Sequence, residues 1–399
     1  MGPVPGSRRP ATFIVAVALV AVGCSSGSPR SVEPPSRSAT PSAIISASPS
    51  SSADGAALVA SLPEGCQQSV PPAEAAVAFV ASGRAWAVAP DGTGLTCLFD
   101  TTDPGPFAWG PQADRVALDG LEVRGIGSTA TRPSADVAPI YLSWGRPTGK
   151  AIVYSDGPKL EKALIGSDEI DDITPLQEVT FGQVAYHPSG LALAFEVSGS
   201  TGSAIWLSSN TGTDPKRLVW SKTGTVFGAL AFDLGGDQLF YAARDPKGKR
   251  VVSRLLLKEG RVEQAFWEGD RDVQGVALAP PSGIPEPLGN APPSAMALDV
   301  GIGCADRQAL LSLLNGESGT PLLPDASAPT TVVGWTDPSH VVVAEGGCEG
   351  PYDLWIAQGT GTGISPVLLA TGVDQGAVRL AEPTPPPPLP DLGVSSDFA

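Results

Sequence analysis

Two histidines, His187 and His340, are the whole supply of imidazole in 399 residues, so general-base chemistry near neutral pH has few places to reside. His187 stands in the turn His187-Pro188-Ser189-Gly190 between two apolar runs, and His340 opens the run His340-Val-Val-Val343. At either position an imidazole reads as a structural group that holds a turn or a strand end. No Gly-x-Ser-x-Gly elbow, Walker loop or dinucleotide fingerprint occurs. The run Gly359-Thr-Gly-Thr-Gly363 has the wrong spacing and joins one strand-like segment to another, so it offers no helix N-terminus to a phosphate. Asp168-Glu169-Ile170-Asp171-Asp172 carries the oxygens that calcium requires, but without EF-hand spacing it reads as a solvated loop of an acidic protein. Glu345, Glu349 and Asp353 gather around Cys348 and are the candidates for binding at a rim. This inventory predicts no catalytic residue, no metal site and no cofactor.

Cys24 closes the stretch Ala21-Val22-Gly23-Cys24, behind Arg8-Arg9 and an apolar run that begins at Ala11. The run is too short to span a bilayer and has the length of a signal-peptide core. The stretch resembles a bacterial lipoprotein lipobox, with Ala21 where Leu is usual. The resemblance implies a signal peptide over residues 1–23 and a diacylglyceryl group, with palmitate among its acyl chains, on the Cys24 thiol. It further implies an exported protein held by lipid on the extracytoplasmic side of the cell membrane. Four cysteines remain, Cys66, Cys97, Cys304 and Cys348, an even number for an oxidising compartment. Three pairings are open to them.

The formal charge of −16 becomes −18 without residues 1–23, whose only charges are Arg8 and Arg9. Nucleic acid and anionic lipid surfaces both call for clustered Lys and Arg, so neither is an expected partner. Residues 24–57 are rich in Ser, Pro and Ala and cannot bury enough apolar surface to offset the entropy of ordering, which makes them a tether. A flexible chain of that length reaches about 30 Å. Residues 383–399, which include Pro385-Pro386-Pro387-Pro388-Leu389-Pro390, are expected to form an extended, disordered tail. The folded region is then 58–382.

Within it the chain repeats. One unit reads Gln183-Val-Ala-Tyr186, the turn through Gly190, Leu191-Ala-Leu-Ala-Phe-Glu-Val197, Ala204-Ile-Trp-Leu207, and Lys216-Arg-Leu-Val-Trp220. The 47 Gly and 41 Pro suit many short strands joined by tight turns. Trp109, Trp144, Phe232, Leu278 and Trp335 recur in the place of Tyr186, at intervals of 35 to 57 residues, the period of a four-stranded propeller blade. Their recurrence marks these aromatics as packing between blades rather than as a sugar platform. Residues 77–99 supply three strands without a first, and Ala377-Val-Arg-Leu380 a first strand with nothing after it. If the two pair, an all-β propeller closes, with seven four-stranded blades as the expected count and six or eight as alternatives.

These units resemble the TolB-like, WD-repeat-like propeller family, with His187-Pro188-Ser189-Gly190 in the place of that family's Ser-Pro-Asp-Gly turn. The resemblance spans residues 77–380 and implies fold better than function, because propellers host unrelated activities. On this layout Cys304 and Cys348 both fall between second and third strands of neighbouring blades, and Cys66 precedes a fourth strand that carries Cys97. The expected pairs are Cys66 with Cys97 and Cys304 with Cys348. The expected function is a monomeric, non-catalytic scaffold that binds an envelope protein, peptide or glycan. The alternative is a metal-dependent hydrolase or lyase of the lactonase kind, acting in the central channel.

Overall fold

The computed structural model describes residues 56–101, 108–111, 115–117, 123–125, 141–167, 169–200, 202–221, 225–245, 247–281, 295–314, 319–348, 350–358, 364–379, 382 and 386–391. Every regular element among them is a β-strand, and neighbouring strands in each sheet pair antiparallel. Sheet 1 joins Val77–Ala81, Arg84–Val88 and Thr96–Asp100 to the last strand of the chain, Gln375–Val378. Sheet 2 is Ala108–Trp109, Arg115–Ala117 and Val123–Gly125. Sheets 3 to 7 start from the inner strands Tyr141–Trp144, Thr180–Tyr186, Val226–Phe232, Val273–Leu278 and Thr330–Trp335, and each continues with three strands in chain order.

The expected propeller is therefore present, with six four-stranded blades, one of the counts allowed for. Six blades have four strands, and sheet 2 has three among the described residues.

The ring closes through sheet 1. Gln375–Val378 pairs antiparallel with Val77–Ala81, placing Ala377 opposite Ala78 and Val378 opposite Val77. One blade thus takes its inner strand from the end of the folded chain and its other three from the beginning. The strand edge that would invite another chain is occupied.

Burial explains why the second strands read as unbroken apolar runs. Val77–Ala81, Ala151–Ser155 and Met296–Val300 are buried at every position, because both faces of a blade's middle strands lie against neighbouring blades. In Ala192–Gly199 the two faces separate cleanly. Leu193, Phe195 and Val197 join a cluster with Val153 and Leu160 of sheet 3, while Ala192 and Ala194 join one with Phe232, Leu239 and Leu255 of sheet 5.

The turn at His187 staples two blades. His187 is fully buried; its Nδ1 accepts the Ser189 N–H at 3.1 Å, which leaves Nε2 to donate to the Gly236 carbonyl of sheet 5 at 2.7 Å. Burial pushes the imidazole down to about 4, so it is neutral at physiological pH. Gly236 must be glycine, since a Cβ there would lie 2.5 Å from the imidazole ring and its φ is +74°.

The disulfides join Cys66 to Cys97 and Cys304 to Cys348. The first ties the segment entering the ring to the outer strand of sheet 1. The second links the connections between second and third strands in sheets 6 and 7.

At the other end of the chain, the described residues 382 and 386–391 lie against the ring. Pro387 and Pro390 are buried, Leu389 packs against the cluster between sheets 4 and 5, and Glu382 pairs with Arg146. The apolar contact of Leu389 and the rings of two prolines supply the surface that composition alone had not credited to this segment.

Candidate functional site

The inner strands enclose two cavities that share Gln183. Where the inner strands end, a cavity of about 390 Å³ is bounded by residues from sheets 1, 3, 4, 5, 6 and 7, which places it on the axis of the ring. Its wall is mainly apolar, with Val184, Leu230, Val276 and Val378 beside the blade-closing Tyr186, Phe232 and Trp335. These three rings are at once packed and cavity-lining, for each is less than a tenth exposed. Trp335 Nε1 donates to the Ala277 carbonyl of the adjacent inner strand at 3.0 Å, which fixes the indole against the wall.

Where the inner strands begin, a smaller cavity of about 190 Å³ is polar. Tyr141, Gln183, Glu196, Arg244, Arg250, Asp272 and Gln274 contribute to it. Asp272 accepts from Arg250 Nε at 2.6 Å and from Arg244 at 3.3 Å, so one carboxylate holds two guanidiniums. Gln183 marks the divide: its Oε1 accepts the Leu230 N–H of the next inner strand at 3.2 Å.

Glu196 follows from the strand period. It lies on the same face of its strand as Ala192 and Ala194, turned toward sheet 5, but nearer the end where the blades part to form the polar cavity. Gly182 makes room for it, because a Cβ there would fall 2.4 Å from Glu196 Oε2. A bulge between Phe181 and Val184 turns the inner strand at this point. Burial pushes the Glu196 carboxyl up to about 7, against the stabilising N–H of Gln183. Burial, with the Glu196 charge beside it, also raises Tyr141.

A raised carboxyl stabilises the fold in its protonated form. The contribution of Glu196 is fully present below the ordinary glutamate value near 4.5 and is lost as pH rises through about 7. Glu196→Gln keeps the neutral shape at every pH. It should gain roughly 2 kcal/mol over wild type at pH 8 and almost nothing at pH 4.5, read from urea unfolding midpoints. Equal stabilities at pH 8 would show that the carboxyl is not held in this way.

The residues singled out from sequence fall elsewhere. Glu345 and Asp353 stand opposite each other on the second and third strands of sheet 7, and neither lines either of these two cavities. Glu345 secures a loop, accepting the Ser327 N–H at 2.7 Å and the Ala328 N–H at 3.3 Å. Glu349, Cys24 and the glycine run at 359–363 lie outside the described residues. Ile170–Asp172, expected in a loop, is the outer strand of sheet 3, with Asp171 3.4 Å from Lys162. His340 Nδ1 donates to the Asp337 carboxylate at 2.9 Å in the turn before its strand. The residues of the polar cavity carry one legible mark: Glu196 is a charge inside an otherwise apolar strand. The pairing of Arg244 and Arg250 through Asp272 has none, since it joins a strand end, a strand start and the following blade.

No family model matches the sequence. Nor does any curated protein match it significantly. Among solved structures the chain is similar to TolB from Acinetobacter baumannii, with 15% identity over 77% of this chain and 68% of that one and a TM-score of 0.44. It is similar to a prolyl endopeptidase, with 12% identity over 77% and 51% and a TM-score of 0.50. An oligogalacturonate lyase in complex with manganese gives 12% identity over 69% and 83%, also with a TM-score of 0.50. The chain spans about half the length of the prolyl endopeptidase. At such identities the likeness is one of fold, and the fold of this chain is an all-β propeller closed by its last strand.

Proposed function

We propose that the protein is an exported lipoprotein, anchored in the cell envelope through Cys24, whose propeller acts as a monomeric scaffold that binds an envelope protein, peptide or glycan without transforming it. The observation that carries this reading is the axial cavity of about 390 Å³ with its mainly apolar wall, beside which a smaller, more polar cavity shares Gln183. A wall of apolar side chains with a few convergent polar groups is what recognition of a ligand requires. The two disulfides fit an oxidising compartment outside the cytoplasm. No helix among the described residues is long and apolar enough to cross a membrane. The other reading, a metal-dependent hydrolase or lyase in the channel, needs several carboxylates or imidazoles converging on one point. Among the described residues no group of three His, Cys, Asp or Glu does so.

The test is capture from envelope extracts on the immobilised domain, side by side with Val276→Trp, which fills the apolar chamber. Retention by the wild type of a component that V276W loses, while keeping its circular dichroism, supports the channel as the site. Recovery of the same abundant background from both sinks it. Anchoring is tested in the same strain by Cys24→Ala, which should release the protein from the membrane fraction and abolish its palmitate labelling.

A further inference from the structure

The proline run near the end of the chain is seated on the ring. Its approach is fixed by Glu382, whose Oε1 accepts from Arg146 Nε at 2.8 Å, both side chains being less than a fifth exposed. Beyond it burial repeats every three residues: Pro387 and Pro390 are buried, whereas Pro386, Pro388 and Asp391 are exposed. Three residues make one turn of a polyproline helix, so Pro387 and Pro390 occupy one face of it, and that face is laid down. Between them Leu389 packs against the cluster at the seam of sheets 4 and 5, which includes Leu207, Phe232, Leu239 and Leu257. These residues lie near the ends of their strands at the His187 side of the ring, where the seam opens.

Prolines lack an N–H and have φ already set, so a docked proline segment is held by apolar contact and gives up little conformational freedom. The seam meets both conditions: it offers an apolar surface and holds a segment of this chemistry. None of residues 386–391 lines either chamber of the channel. We propose that the seam of sheets 4 and 5 is a recognition site for proline-rich segments of the pattern Pro-x-Leu-Pro, with the chain's own residues 387–390 as its resident occupant. Tethering supplies the occupant at an effective concentration in the millimolar range, so a second segment of the same kind competes only when the resident one is displaced. The seam shares Phe232 with the apolar chamber while its occupant lies outside that chamber, and either proposal can fail while the other stands.

The experiment uses the full chain and a fluorescein-labelled peptide with the sequence of residues 384–391, followed by anisotropy. Wild type should show no saturable binding up to about 100 µM, as expected against a millimolar internal competitor. Leu389→Asp, which expels the resident segment by placing a charge in the seam, should bind the peptide at least tenfold more tightly. A peptide carrying the same Leu-to-Asp change should not bind. The double variant Pro387→Gly/Pro390→Gly provides a second release that introduces no charge. Equal binding by wild type and both released variants overturns the proposal. So does absence of binding in a released variant that retains the wild-type near-ultraviolet circular dichroism.

Discussion

Replacing Ala377 with Asp should destabilise the domain by about 3–5 kcal/mol and make it prone to aggregate. Ala377 is only 6% exposed and sits in the strand that completes sheet 1, within a cluster that includes Ala78, Val80, Trp109 and Val116. A carboxylate there has no partner in that cluster, so it either remains charged without compensation or draws a proton at a comparable cost. The damage extends beyond one side chain. With Gln375–Val378 displaced, Val77–Ala81 loses its partner on that side and presents an apolar, unpaired strand edge. The checks are a urea midpoint and light scattering on the same sample. A variant that melts within 1 kcal/mol of wild type and scatters no more light would show that the ring does not depend on this strand.

The second large effect is expected at Cys304 and Cys348. The bond encloses 44 residues of sequence separation, and restricting the unfolded chain by a loop of that size is worth about 4 kcal/mol in the chain-entropy account. The double change Cys304→Ser/Cys348→Ser should therefore lower stability by roughly 3–4 kcal/mol. Cys66–Cys97, with a separation of 31, should matter slightly less on the same account. Exposure separates them further, because Cys348 is exposed whereas Cys97 is 4% exposed in the core of sheet 1. Under mild reductant, alkylation and peptide mapping should find Cys304 and Cys348 modified first. Modification of Cys97 first, or a double serine variant as stable as wild type, would contradict the assignment of this bond as the main covalent brace.

Much of the fold is legible in the chain because its information is local and repeated. Tyr186, Phe232 and Trp335 each close an inner strand, and the turns after them are written in Gly, Pro and Asp, so period and strand type follow without tertiary knowledge. The closing strand is legible too, by elimination, since a first strand without a blade and a blade without a first strand have one way to pair. The aromatics were placed correctly as packing groups. Their second role, lining an axial cavity, appears only when the inner strands stand around an axis.

The candidate site was far less legible, and the reason is physical. Glu345 and Asp353 are close in sequence around a cysteine, yet in the folded chain they stand at a strand pair and a loop, away from both cavities. The polar cavity draws instead on Tyr141, Gln183, Glu196, Arg244, Arg250 and Asp272, which come from four blades and span 131 positions between first and last. Likewise a proline run has the same composition free or docked, and only the seam of sheets 4 and 5 decides which. Alone, then, the sequence determined the all-β architecture and the blade period, because both are written in neighbouring residues, and through them the closing strand. The tertiary structure alone decided which residues line the cavities and what Leu389 packs against, because both depend on which side chains the ring brings together across blades.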